Sequence, residues 1–322
     1  MKKILFFLLI IQFISAHEAD SLSNFSTKVP KLFYFEKFSF LDNDCDACGC
    51  SASGGSMGFA SMLNPNFIGL RYFNQSYKST DGLYSNSPWY NENFNTIQLW
   101  SRIPILPKWQ ATVLAPYHFH NRETGSAKHD LSGLGAVSVF ILNQLFTTKN
   151  DSLSVKHNVN LGGGLKLPTG TYDALNNGSF NPSYQLGTGS LDYLTALEYI
   201  VTKNKWGINS MLNYIVKTEN NKNYRFGNQF NYASTLFYLH TFNKFSLVPQ
   251  LGLAGEVYEQ NFQLGQRVRN TEGDIFFGKL GVELGKNKWS LGLQAMLPIT
   301  QNLNAGNVEA NYRWSLNFNY SL

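Results

Sequence analysis

The last sixteen residues, 307–322, constrain the fold more than any other segment. Val308, Ala310, Tyr312, Trp314, Leu316, Phe318, Tyr320 and Leu322 are apolar at every second position, and Glu309, Asn311, Arg313, Ser315, Asn317, Asn319 and Ser321 between them are polar or charged. A period of two puts successive side chains on opposite faces of an extended strand. It runs here for longer than an ordinary strand requires. A tilted strand with lipid against one face and water against the other needs that length and that alternation. The segment therefore predicts the closing strand of an all-β protein, a transmembrane antiparallel up-and-down β-barrel.

The amino terminus agrees with export. Residues 1–16 carry Lys2 and Lys3, an unbroken apolar run from Ile4 to Ile11, and small residues at Ser15 and Ala16. This is the pattern of a cleaved secretory signal with cleavage after Ala16. No later window supplies the roughly eighteen uncharged apolar residues of a spanning helix, so insertion must use strands. Aromatic residues make up 15% of the chain and equal the charged fraction, which suits strands with one face in lipid. Without Lys2 and Lys3 the formal charge of +5 falls to +3, and no Lys/Arg cluster remains. Nucleic acid is excluded as a partner on that ground.

Alternation and turn residues predict twelve strands near 66–77, 93–104, 109–120, 132–146, 154–167, 184–201, 205–217, 226–242, 245–258, 272–285, 289–298 and 307–322. The connectors alternate between long (78–92, 121–131, 168–183, 218–225, 259–271, 299–306) and short (105–108, 147–153, 202–204, 243–244, 286–288). In outer-membrane barrels long loops face outward and short turns face the periplasm. Lys108-Trp109, Lys205-Trp206, Lys244-Phe245 and Lys288-Trp289 each set a cation and a large ring where the chain leaves a short turn. Rings of this kind prefer the headgroup level, and a neighbouring lysine reaches the phosphates. The expected organisation is a signal at 1–16, a Cys/Gly-rich periplasmic or luminal segment at 17–65 that can serve as a plug, and a barrel at 66–322.

Carrying the period of two along each strand assigns Trp109, Ala111, Val113, Ala115, Trp206, Ile208, Leu212, Tyr214, Phe245, Leu247, Leu251 and Leu253 to lipid. The opposite parity carries the lumen-lining candidates. They are Arg71, Arg102, Lys156, Lys166, Asp192 and Glu198, then Lys217, Glu256, Lys279, Glu283, Glu309 and Arg313. Both signs are mixed, so pairing across a narrow interior is expected rather than strong ion selectivity. Gly162, Gly163 and Gly164 in the fifth strand, and Gly187 and Gly189 in the sixth, fall mid-strand on this reading. Glycine is costly there unless a bend or a close approach needs it; sharp curvature or room for an inserted plug is implied.

The run Gly162-Gly163-Gly164-Leu165-Lys166-Leu167-Pro168-Thr169-Gly170, followed by Gln185-Leu186-Gly187-Thr188-Gly189-Ser190-Leu191-Asp192, resembles the outer-membrane family named for the putative meta-pathway of phenol degradation. Ser132-Gly133-Leu134-Gly135 adds to the likeness, which extends over about residues 60–322. Ala136 departs from it, standing where an acidic residue is expected. The resemblance implies a transporter-like barrel, loosely related to uptake channels for hydrophobic compounds. The cysteine segment is not part of the general pattern and is similar to the head of a Bacteroidetes-type subgroup.

Cys45-Asp46-Ala47-Cys48-Gly49-Cys50 offers three thiols within one turn, a spacing that suits Cu(I) or Zn(II). A local disulfide is the alternative, with an odd thiol left over. His118 and His120 stand two apart on one strand face, luminal by parity, and can chelate a divalent ion with His129 in the next loop. The opposing reading is a pair of wetted histidines at a loop mouth. No Gly-x-Ser-x-Gly elbow or other nucleophile constellation occurs, so no enzyme is expected. The sequence points to an outer-membrane, porin-like channel for small, partly hydrophobic solutes, with no chemistry on the substrate. Its expected partners are outer-membrane lipid, the solute, and the barrel-assembly machinery through the C-terminal strand. A metal-binding barrel acting through the cysteine head and a structural or docking barrel are the competing classes.

Overall fold

The structure, a computed structural model, describes residues 61–84, 86–125, 127–148 and 155–322. Twelve staves run in chain order. The first six are β1 (Phe67–Ser79), β2 (Tyr90–Leu106), β3 (Trp109–Thr124), β4 in two pieces (Ala127–Leu134 and Ser138–Thr147), β5 (Val155–Lys166) and β6 (Asp192–Lys203). The others are β7 (Trp206–Val216), β8 (Gln229–Tyr238, continued by His240–Phe242), β9 (Phe245–Tyr258), β10 (Gly273–Lys286), β11 (Trp289–Leu303) and β12 (Val308–Ser321). Each pairs antiparallel with the next, and β12 returns to β1 in a ladder from Phe67↔Ser321 to Ser79↔Val308. Closure uses every edge, as a bilayer demands, because no water is there to satisfy an open ladder. No helix among the described residues is long and apolar enough to cross a membrane.

The outer wall is apolar. Leu236, Leu251 and Leu280 lie side by side across β8, β9 and β10, all exposed. Trp109, Trp206 and Trp289 are also exposed and stand where the chain leaves a short turn. Trp206 packs 4.7 Å from Tyr238 and Trp289 packs 4.7 Å from Tyr320, so the rings form a belt at that end. The turns beneath share one construction. Asn204, Asn243 and Asn287 adopt φ of 56°, 52° and 54°, a left-handed conformation asparagine tolerates better than most residues, and a lysine follows each.

Four details differ from the sequence reading. The sixth strand begins at Asp192 and not near 184, so Gly187 and Gly189 belong to the long loop 167–191. Residues 121–131 form little loop: β3 continues to Thr124 and pairs with β4 as a hairpin, Arg122↔His129 included. β11 likewise continues to Leu303. Finally, Ser76 pairs with Tyr312 but Tyr77 pairs with Ala310, so Asn311 is an extra residue in β12. A bulge of one residue inverts the parity beyond it. Val308 and Ala310 therefore face inward, and Glu309 faces outward, half-exposed in an ion pair with Lys78 at 2.7 Å.

Candidate functional site

Except for Glu309, the lumen candidates sit on the inner wall. Arg71, Arg102, Lys166, Asp192, Glu198, Lys217, Glu256, Lys279, Glu283 and Arg313 are buried there, while Lys156 is half-buried near the short-turn end. Several join staves that are not neighbours. Arg313 on β12 donates to both carboxylate oxygens of Glu256 on β9, at 2.7 and 3.0 Å, and also to the Tyr77 hydroxyl at 3.0 Å. Arg102 on β2 reaches Glu198 on β6 at 3.9 Å, and Asn160 and Asn209 donate to the same carboxylate. Lys279 donates to Thr235 two staves away. These chords cross a narrow interior.

Between them the inner wall is unexpectedly apolar. Phe67, Trp100, Leu114, Phe140, Leu142, Met211, Phe237 and Val248 form a cluster toward the short-turn end. Tyr77, Phe94, Ile275, Phe277, Met296 and Val308 form a second toward the long-loop end. Gly162 and Gly164 serve the first cluster. A Cβ on Gly162 would lie 2.8 Å from the Phe140 ring, and one on Gly164 would lie 2.5 Å from it, so the ring can lie against bare backbone. The described end of the amino-terminal segment enters here too. Glu283 accepts hydrogen bonds from the Ser61 hydroxyl (2.6 Å) and the Met62 amide (2.7 Å), and Met62 and Leu63 pack into the cluster.

The long loop 167–191 closes over the opposite end, and two carboxylates clamp it. Glu92 on β2 accepts from Ser179, from Asn181 at 3.1 Å and from Ser79 at 2.8 Å. Asp192 accepts from Ser190 (2.7 Å), Thr188 (3.2 Å) and the Thr218 amide (3.1 Å), and stands 3.4 and 3.6 Å from Lys166 and Lys217. Arg122 donates to the Gly178 carbonyl. The glycine motifs make the close approaches. Thr169 donates to the Gly135 carbonyl at 2.7 Å and accepts from the Val137 amide at 2.8 Å, clipping the loop onto the break in β4. Gly170 and Gly187 cross with no space for a side chain on either, since a Cβ on one would meet the other's Cα at 2.9 or 2.8 Å. Beneath the loop a cavity of about 50 Å³ is lined by Tyr77, Phe94, Lys217, Tyr258, Leu303 and Val308, among others. That is space for about one or two waters.

His118 and His120 also lie under this loop, and they are buried rather than wetted. Their rings are 4.7 Å apart, and His120 packs 4.9 Å from Phe94 and 6.0 Å from Tyr184 of the loop. His118 Nδ1 is 2.8 Å from the Thr96 hydroxyl, and its Nε2 is pressed against Gly135, where even a Cβ would be 2.2 Å away. His129 sits apart on the exposed hairpin, bonded to Thr124 at 3.1 Å. No group of three or more His, Cys, Asp or Glu among the described residues could hold a metal. Cys45, Cys48 and Cys50 lie outside the described residues.

Sequence reasoning missed Glu92, Ser179, Asn181 and Tyr184, because nothing local marks a clamp made across 87 to 89 residues. It also missed the luminal rings. A signal existed in Leu99-Trp100, Leu236-Phe237 and Phe276-Phe277, where adjacent apolar residues show that both faces of the strand are buried or in lipid.

A closed twelve-stave barrel with an apolar outer wall and a ring of aromatic residues at one end is the architecture of a transmembrane β-barrel protein. The chain belongs to the family described as "Putative MetA-pathway of phenol degradation", which matches residues 107–321. The cysteine segment falls outside that match. Among solved structures, an outer membrane channel from Pseudomonas putida F1 is similar at 15% identity and a TM-score of 0.60, covering 79% of this chain and 94% of that chain. At this identity the likeness concerns the fold. The β domain of the Bordetella autotransporter Brka (11% identity, 80% of this chain, 99% of that chain, TM-score 0.46) and the NanC porin (11%, 79%, 100%, 0.43) are more distant. No curated protein sequence matches the chain.

Proposed function

We propose that this protein is an outer-membrane channel for small, partly apolar solutes, with the long loops outside, the short turns in the periplasm, and loop 167–191 as the closure of the outer mouth. The observation that carries the reading is the lumen itself. Rings and aliphatic side chains line it at both levels, and chords of charge cross between them. A general porin lumen is polar and water-filled. Here a solute with an apolar body gains contact along the wall, while Gln75 and the ring nitrogens of His120, buried without hydrogen-bond partners, supply polar contacts part-way. The solute passes unchanged in this reading, since the one hydroxyl–imidazole contact described on the inner wall, Thr96 to His118 Nδ1 at 2.8 Å, is fully buried. The likeness to an outer membrane channel supports the placement, and membership of a family named for aromatic degradation agrees with a solute of this class.

The experiment is single-channel conductance and liposome swelling on the full chain, with Glu92→Ala compared with wild type. Removing the carboxylate frees Ser179 and Asn181, and the reading expects brief, small openings in wild type and longer, larger ones in the variant. Swelling should be faster with phenol-sized solutes than with sugars of similar mass. A folded Glu92→Ala protein whose conductance and swelling equal those of wild type would refute loop 167–191 as the closure.

A further inference from the structure

The charge of the barrel is distributed unevenly between its two ends. Around the short-turn rim stand Lys108, Lys203, Lys205, Lys244 and Lys286, all exposed, with Lys288 half-buried beside them. No aspartate or glutamate occurs among the described residues of that rim: 64–68, 104–111, 142–148, 155–158, 200–208, 240–248, 284–291 and 318–322. The opposite end mixes signs, with Asp81, Glu123, Lys128, Asp130, Glu259 and Arg269 all there. The lysines stand against the belt of rings. Lys286 Nζ lies 4.8 Å over the Phe245 ring and Lys288 Nζ lies 5.2 Å over Tyr320. Rings of this belt rest at the headgroup level, so the ammonium groups reach the depth of lipid phosphates.

We infer that the short-turn rim is a docking surface for the phosphate headgroups of anionic phospholipids in the leaflet next to the periplasm. The inference rests on the orientation proposed above, because that leaflet must meet the short turns. Three structural facts make the surface specific. The lysines are held at fixed points by tight turns whose positive-φ residue is Asn204, Asn243, Asn287 or Lys108 itself, so little reach is lost to loop motion. They encircle the barrel, coming from the β2–β3, β6–β7, β8–β9 and β10–β11 turns, which spreads the contact over many lipids. Among the described residues of the rim no aspartate or glutamate side chain stands beside these lysines to compete with phosphate. Each lysine near an anionic surface contributes attraction that adds around the ring and is screened by salt.

The test is native mass spectrometry of the full chain released from zwitterionic detergent micelles doped with phosphatidylglycerol or phosphatidylcholine. Wild type should retain several-fold more phosphatidylglycerol. The rim variant Lys108→Gln, Lys205→Gln, Lys244→Gln, Lys286→Gln should lose the preference. A control losing the same charge at the other end, Lys128→Gln, Lys222→Gln, Arg267→Gln, Arg269→Gln, should keep it. Should the rim variant fail to fold, salt decides on wild type. The preference must shrink between 0.1 and 1 M, where the Debye length falls from about 10 to about 3 Å. Equal retention of the two lipids by wild type, an unchanged rim variant, or indifference to salt would overturn the proposal; the first would leave the rim free for an acidic periplasmic protein instead. Conductance of the rim variant stays that of wild type if the channel reading holds, so the two proposals fail separately.

Discussion

Gly170 and Gly187 cross so closely that neither has space for a side chain: a Cβ on Gly187 would lie 2.7 Å from the Gly170 carbonyl oxygen and 2.8 Å from its Cα. The contact ties the entry of the long loop to its exit, and Thr171 accepts from the Gly187 amide at 3.1 Å just beyond. Two backbone segments touching in this way turn a connector of some twenty-five residues into a compact cap. Glu92 and Asp192 then fix the cap to the wall from two sides.

Gly187→Val should therefore loosen the cap without dissolving the barrel. Overpacking at one crossing costs about 1–3 kcal/mol, and the ladder hydrogen bonds lie elsewhere. Expected are a folded, heat-modifiable band on unheated gels, higher mean conductance, and faster protease nicking within 171–185. Wild-type conductance together with wild-type nicking would mean that the crossing does not hold the loop.

A second expectation concerns Arg313 and Glu256, a bidentate pair buried between β12 and β9. Glu256→Gln leaves the guanidinium buried without its counter-charge, which costs about 3–5 kcal/mol. Arg313→Met combined with Glu256→Gln should recover much of that loss, since no unpaired charge remains. Urea unfolding in lipid vesicles measures both variants. A double variant less stable than Glu256→Gln alone would show that Arg313 contributes through packing against Phe277 and Tyr77, which its guanidinium approaches within 4.3 and 5.7 Å.

Much of this architecture was legible because a barrel repeats one rule. Trp206, Ile208 and Tyr214 point outward on β7 as their alternation requires, and Asn209 and Asn213 point inward. The rule fails where one residue is added. Asn311 swells β12 by a single position, and Glu309 consequently moves from the lumen to an outward pair with Lys78. The motif glycines were legible as close approaches but not as to what approaches. Gly187 and Gly189 read as strand positions, because the contact that explains Gly187 comes from Gly170, seventeen positions earlier, and Gly189 needs φ of 66°. The clamp on Glu92 was invisible for the same reason. Hydrogen bonds between residues nearly ninety apart leave no local period.

The lipid band can be checked by position. Leu251 and Leu264 are both exposed leucines, at 57% and 69%, but the first sits between Leu236 and Leu280 on the wall and the second in the long loop after β9. Leu251→Arg should cost about 2–4 kcal/mol if it lies near the bilayer midplane. Leu264→Arg should stay within about 0.5 kcal/mol of wild type, as surface changes do. Folding yield into vesicles, measured by gel shift, separates the two, and equal yields would contradict the membrane depth assigned to that row.

The last expectation separates the cysteines from the histidines. Three thiols in Cys45-Asp46-Ala47-Cys48-Gly49-Cys50 suit a soft ion such as Cu(I) or Zn(II). His118 is held away from such a role by its neighbours: its Nδ1 is engaged with Thr96, and its Nε2 lies so near Gly135 that a Cβ there would be 2.2 Å away. If the segment binds metal, the reduced full chain should hold about one ion. Cys45→Ser, Cys48→Ser, Cys50→Ser should abolish that binding, whereas His118→Ala should leave it unchanged and lower only the folding yield, through the cavity left beneath the loop. Metal content by mass spectrometry, with thiol counting on the same sample, distinguishes the outcomes. A single free thiol without metal would identify a local disulfide, and loss of metal in His118→Ala would show that the ring turns away from Gly135 to become a ligand.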